Sequence, residues 1–192
     1  FVFCMVCHGE LVRRKPHVRH LTLFYLMLSI GGALGGALVG LVAPVVFTSY
    51  FELPIGLFAC AALTVIVTWR EIHKPLWRAA LILALVGYGW RLGEISMGEV
   101  RGYRVTVRNF YSQLKVRDTV HSTQGPKRAM YHGIIVHGEQ LLGDDGRGRT
   151  PTAYYCEQSG IGRAIRGLPQ DRPLKIGIVG LGAGTLATYG RA

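Results

Sequence analysis

The chain has 192 residues, a net charge of +11, and nearly half of its residues are hydrophobic. The apolar residues gather in long runs at the N-terminal side, which excludes a uniformly water-soluble globule. Much of the positive charge flanks those runs, where it meets lipid headgroups, and the rest is scattered without an aromatic–arginine ladder, which argues against nucleic acid as a partner.

Phe1 to Cys7 reads as the tail of an apolar helix, and His8 to His20 as a basic loop carrying Arg13, Arg14, Lys15 and Arg19. Phe1 opens in mid-run with neither an initiator Met nor a basic leader, so a fragment at both ends is expected. Leu21 to Ala43 holds 23 residues without a charge. As a helix that run is about 34 Å long, enough to cross a bilayer core of about 30 Å. Gly32, Gly36 and Gly40 share one face, which lets a neighbouring helix approach closely. Pro44 ends or kinks the helix. Thr48 to Pro54 is a turn without Lys or Arg, Ile55 to Trp69 is a second apolar run, and Arg70 to Lys74 is a second basic loop. A third run, Leu76 to Trp90, contains Arg78 and is only 15 residues long. That length is short of a simple full crossing, so a tilted span, a re-entrant piece or an interfacial helix is expected there, with a full crossing over Leu76 to Met97 as the rival. The basic loops at 13–19 and 70–78 are expected in the cytoplasm and the 48–54 turn outside.

From Gly102 the pattern changes. Tyr103, Val105 and Val107 alternate with Arg104, Thr106 and Arg108, the periodicity of a strand. Phe110 to Arg117 and Ala129 to Val136 read as further strands, with a turn over His121 to Lys127 and a loop over Gly143 to Gly148. Thr152 is the expected N-cap of a helix over Ala153 to Ile165. Leu174 to Val179 reads as a short buried strand, followed by a glycine loop over Gly180 to Gly184 and a helix from Thr185. The expected architecture is a multi-span α-helical membrane region (1–98), a small β subdomain (99–150), and then the start of an α/β, doubly wound, Rossmann-like sheet of the S-adenosylmethionine type (151–192).

The glycine loop is the strongest local motif. Its spacing is G-x-G-x-G at Gly180, Gly182 and Gly184, whereas dinucleotide sites favour G-x-G-x-x-G. Glycines there permit positive φ and a close approach of backbone N–H groups to a ligand. Cys4, Cys7 and His8 match C-x-x-C-H, but they end an apolar helix beside a basic loop, so neither haem nor metal is expected. His132 and His137, five apart, are expected on opposite faces of one strand and thus not to share a metal.

In order, the β element, H-G-E-Q at 137–140, Y-Y at 154–155, S-G-I-G at 159–162 and V-G-L-G-A-G-T-L at 179–186 resemble the spermidine synthase family. More closely, the chain resembles bacterial proteins that fuse a transporter-like membrane region to a spermidine-synthase-like domain. Met5 to Leu11, Tyr50 to Gly56 and R-N-F-Y at 108–111 share in that likeness. The resemblance implies decarboxylated S-adenosylmethionine, or S-adenosylmethionine, as co-substrate on Gly180, Gly182, Gly184 and Gln140, with Tyr155 at the cleft for a small amine. It implies aminopropyl transfer with no catalytic residue inside this chain, the base lying beyond Ala192, so that the 192-residue piece is expected to be inactive. Family members typically read D-G-x-x-Q and D-E-x-x-Y-H-E, whereas here the first motif is one residue shorter and the second lacks its acids and histidine. Two alternatives stand beside transfer: a membrane-tethered methyltransferase, and a transporter-like protein whose soluble domain only senses an adenosyl metabolite. The expected setting is the inner membrane, multi-pass, with the soluble domain cytoplasmic; the bilayer and a homo-oligomeric partner complete the expected associations.

Overall fold

The computed structural model describes residues 1–121, 125–143, 146–169, 171–180 and 182–190. The chain divides into two compact units, Phe1–Arg101 with Arg108–Phe110, and Gly102–Val107 with Tyr111–Ala192.

The first unit is helical. Helix α1 covers Val2–Arg13, α2 Leu21–Ala37, α3 Ala43–Val46, α4 Glu52–Thr68 and α5 Pro75–Gly98. A short 3₁₀ turn, Val18–His20, leads into α2. Helices α2 and α3 are continuous through a π-type turn, Leu38–Val42. Pro44 has no N–H to offer the Gly40 carbonyl, and the widened turn absorbs that missing bond, so the proline neither ends nor breaks the helix. Two helices are long and apolar enough to cross a membrane, Val18–Val46 with 29 residues and Pro75–Gly98 with 24. Their large apolar side chains, among them Leu34, Leu41, Leu83 and Trp90, lie exposed on the helix surfaces, as a lipid-facing element requires. Both observations point to membrane association.

Helix α5 corrects the expectation of a short third run. At 1.5 Å per residue its length is about 36 Å, more than a bilayer core. Arg78 does not interrupt it. Arg78 donates to the main-chain carbonyls of Ile72 (2.8 Å) and Trp69 (3.4 Å), and its guanidinium lies 5.1 Å from the Trp69 ring centre. The charge thus serves carbonyls of the turn that links α4 to α5. Arg91 pairs with Glu94 one turn on, at 3.7 Å.

Ion pairs fasten both ends of the helical unit. At one end Arg13, the last residue of α1, bonds Glu71 in the turn after α4, so these two chain segments lie together. At the other end Arg108 makes a bidentate pair with Glu52, both bonds 2.7 Å, and donates to the Ser49 carbonyl at 2.8 Å. The Tyr50 ring lies 4.3 Å beneath the guanidinium. Hydroxyls within the helices are satisfied by the preceding turn: Thr64 bonds the Cys60 carbonyl and Ser96 the Leu92 carbonyl.

The second unit is a four-stranded sheet in the order β1-β2-β3-β4, comprising Val105–Arg108, Gln113–His121, Gly125–His132 and Ile135–Leu141. Strands β2, β3 and β4 pair antiparallel. Asp118 and Arg128, directly opposite, form two hydrogen bonds of 2.7 and 2.9 Å. The Arg128 guanidinium holds the Asp118 carboxyl below the usual carboxylate range.

The expected strand over Ala129 to Val136 is two strands. Gly133 sits at φ +62°, where a side chain is disfavoured, and turns the chain back between them. The expected helix over 153–165 is also divided. Ala153–Tyr155 is one 3₁₀ turn, and α6 covers only Gly160–Arg166. Ser159 is the true cap, its hydroxyl accepting from the Gly162 N–H at 3.1 Å. Thr152 instead donates its hydroxyl to the Glu139 carbonyl.

The sheet is antiparallel, and the doubly wound start is not among its elements. Residues 174–179 are irregular, with Ile176, Ile178 and Val179 exposed. A parallel-type strand is stable only with neighbours on its edges and cover on both faces, and no described strand pairs with this one. After the glycine loop comes a five-residue 3₁₀ turn, Thr185–Tyr189, in place of an α-helix. Residues 122–124 of the expected turn, 144–145 of the expected loop, and Leu181 lie outside the described residues.

Candidate ligand cleft in the sheet domain

Strand β4 carries H-G-E-Q and runs beside the glycine loop. Between them is a cleft of about 230 Å³, whose walls include Gly138, Glu139, Gln140, Ala183, Gly184 and Thr185. Two residues singled out in the sequence, Gln140 and Gly184, therefore face the same space. Gln140 donates its side-chain amide to the Gly148 carbonyl at 3.2 Å, which fixes the amide's orientation at the cleft wall.

The loop glycines take the conformations their spacing suggested. Gly180, Gly182 and Gly184 have φ of +90°, +54° and +73°. Gly180 has open space around it and does not line the cleft. At Gly182 a β-carbon would stand 3.5 Å from the Tyr155 hydroxyl and 3.9 Å from the His137 carbonyl. Tyr155 is thus brought to the glycine loop as well. Its own carbonyl accepts from the Tyr189 hydroxyl at 2.6 Å, and its ring lies 4.4 Å from that of Tyr154. Tyr154 donates to the His137 carbonyl at 2.8 Å. Burial first, and Tyr155 second, pushes the Tyr154 phenol up, so it remains a neutral donor at ordinary pH. The helix N-terminus expected to assist the loop is replaced by the 3₁₀ turn, whose five residues add little dipole.

Sequence reasoning missed the role of Gly138, although the H-G-E-Q motif contains it. A β-carbon on Gly138 would stand 2.4 Å from the Ala183 β-carbon and 3.2 Å from the Thr185 hydroxyl. The strand and the loop touch backbone to side chain at this point. Gly138→Ala is therefore expected to push the loop off β4, at a cost of about 1–3 kcal/mol for overpacking. A fall of several degrees in the melting temperature of the detergent-solubilised protein, with no fall in Gly160→Ala, where space is open, is the expected result.

Glu139, the acid on the cleft wall, is engaged by Lys127 at 2.7 Å. The C-x-x-C-H residues Cys4, Cys7 and His8 lie on α1 in the helical unit, and all four cysteines are free thiols. Among the described residues no group of three or more His, Cys, Asp or Glu is arranged to hold a metal ion. His132 and His137 are not on opposite faces of one strand. They lie on adjacent strands, with ring centres 5.2 Å apart.

No family model, no curated protein and no solved structure matches this chain. The spermidine-synthase likeness accordingly stands on the motif residues themselves.

Proposed function

We propose that the cleft between β4 and the glycine loop binds the adenosyl moiety of decarboxylated S-adenosylmethionine, or of S-adenosylmethionine, in a membrane-anchored, spermidine-synthase-like protein. The observation that carries this reading is that Gln140 of β4 and Gly184 of the glycine loop line one cleft, with Tyr155 beside the loop at Gly182. Gly182, at φ +54°, keeps bare backbone beside Ala183 and Gly184 of the cleft wall, which suits the close approach a nucleoside needs. The cleft is below the roughly 300–1,000 Å³ usual for small-molecule sites, so the ligand projects from it or the loop moves outward on binding.

The reaction that accompanies this site in the family it resembles is aminopropyl transfer. An amine attacks the propyl carbon next to the sulfonium, the carbon–sulfur bond breaks, and the ammonium proton passes to a base. Product formed from putrescine and decarboxylated S-adenosylmethionine by the full-length protein would support transfer; methylated product from S-adenosylmethionine would support a methyltransferase.

A second reading, ligand sensing without transfer, is favoured by the helices. The segments holding Arg13 and Glu71 share one end, and the chain leaves α5 at the end where Arg108 binds Glu52 and Ser49. Seven Lys and Arg lie at the first end, Arg13, Arg14, Lys15, Arg19, Arg70, Lys74 and Arg78, against four towards the other, Arg91, Arg101, Arg104 and Arg108. The turn at 47–51 has none. The positive-inside tendency then places the start of the sheet domain outside, away from the compartment that makes adenosyl donors from ATP. This stands as the alternative to the cytoplasmic placement expected from a short third run. Cysteine labelling reads it directly. In a cysteine-free background, Ile134→Cys, at an exposed hairpin tip, is expected to react with an impermeant thiol reagent in intact cells, and Lys15→Cys is expected to be protected. The opposite pattern would return the domain to the cytoplasm and favour transfer.

A further inference from the structure

We propose that His132 and His137 form a two-histidine site for a divalent late-transition metal, zinc foremost, at the β3–β4 hairpin. The pairing register creates the site. Met130 faces Gly138 and Tyr131 faces Val136, which leaves His137 as an extra, unpaired residue of β4. Such a bulge re-aims the side chain it carries. His132, the last residue of β3, pairs with Ile135 across the turn. In the bulged register their ring centres are 5.2 Å apart and their planes tilted by 44°.

That separation fits two imidazoles sharing one tetrahedral ion. A zinc ion about 2.0–2.1 Å from an imidazole nitrogen is about 3.2 Å from that ring's centre, so two rings at a tetrahedral angle have centres about 5.2 Å apart. Stacked rings would be closer to parallel, and a cis square-planar pair would bring the centres to about 4.5 Å. The surroundings suit an open site. His132 is exposed and His137 half-buried, so water can complete the coordination. His137 is also steadied from behind, since Tyr154 donates to its main-chain carbonyl at 2.8 Å. Imidazole-only donors select zinc, copper and nickel over magnesium and calcium, which prefer oxygen. This site does not depend on the adenosyl reading, although it lies one residue from Gly138 on the cleft wall.

The test is metal titration of the detergent-purified chain carrying no histidine tag. Zinc binding is measured by calorimetry, and cobalt(II) is followed by its visible absorption, which is intense only in tetrahedral coordination. One zinc site of roughly micromolar dissociation constant is expected, with no binding of magnesium. His132→Ala and His137→Ala should each weaken zinc at least tenfold and remove the tetrahedral cobalt band. His132→Cys should restore the band with a sulfur charge-transfer feature, which separates lost ligation from misfolding. His17→Ala/His20→Ala, on the helical unit, should leave the site unchanged. Zinc affinity unchanged in the His132→Ala/His137→Ala double variant, or no zinc binding by the parent chain, would overturn the proposal.

Discussion

Arg108→Ala is expected to destabilise the helical unit by about 3 kcal/mol, a shift of about a hundredfold in its unfolding equilibrium. The Arg108 and Glu52 side chains are only 5% and 10% exposed, and the bonds between them are bidentate. Removing the arginine strands a carboxylate where little water can reach it. It also frees the Ser49 carbonyl and uncovers the Tyr50 ring. The cost of such a change lies mainly in the partner left behind, so deleting both charges should cost less than deleting one. Arg108→Met with Glu52→Met is accordingly expected to recover much of the loss. Denaturant titration in detergent micelles, followed by helical circular dichroism, measures both. A loss below about 0.5 kcal/mol in Arg108→Ala would mean that the pair behaves as an exposed surface bridge.

The pair also shows where sequence reading stops. Arg108 and Glu52 are 56 positions apart, and nothing in the local pattern of either points to the other. The first helix long and apolar enough to cross a membrane was legible because a charge-free run needs no tertiary knowledge. Helix α5 was read as too short because Arg78, Arg91 and Glu94 interrupt its apolar run. Each of those charges has a local solution, Arg78 on carbonyls of the α4–α5 turn and Arg91 on Glu94, that composition does not reveal. In the sheet, alternation located β1 but not the turn at Gly133. The residues on either side are apolar enough to read as one strand, and only the positive φ of that glycine separates them. The same turn puts His132 on β3 and His137 on β4, so a period-two argument along one strand placed the histidines wrongly. The segment 174–179 has strand composition without a strand partner, and composition alone could not tell the difference.

The cleft was more legible than the fold around it. The glycine spacing foretold three positive-φ positions, and Gln140 and Tyr155 both come to the loop. What the motif could not show was Gly138. Its need for a bare backbone arises from the approach of Ala183 across the cleft wall, a contact between segments 45 positions apart.

Gly182→Val is expected to abolish adenosyl-ligand binding. The φ of +54° at Gly182 is a region that β-branched residues strongly avoid, so valine would either strain the loop or drive it into another conformation. Its branched side chain would in addition point at the Tyr155 hydroxyl, 3.5 Å from the position of the new β-carbon. Both effects act on the surface that approaches the ligand, and neither touches the helical unit. The melting of that unit is therefore expected to stay as in the parent chain. Calorimetric titration of the detergent-solubilised protein with S-adenosylmethionine and its decarboxylated form is the direct measurement. Saturable binding to the parent chain, weakened at least a hundredfold in Gly182→Val, is the predicted result. Equal affinity in the two proteins, or no binding to the parent chain, would contradict the assignment of the cleft.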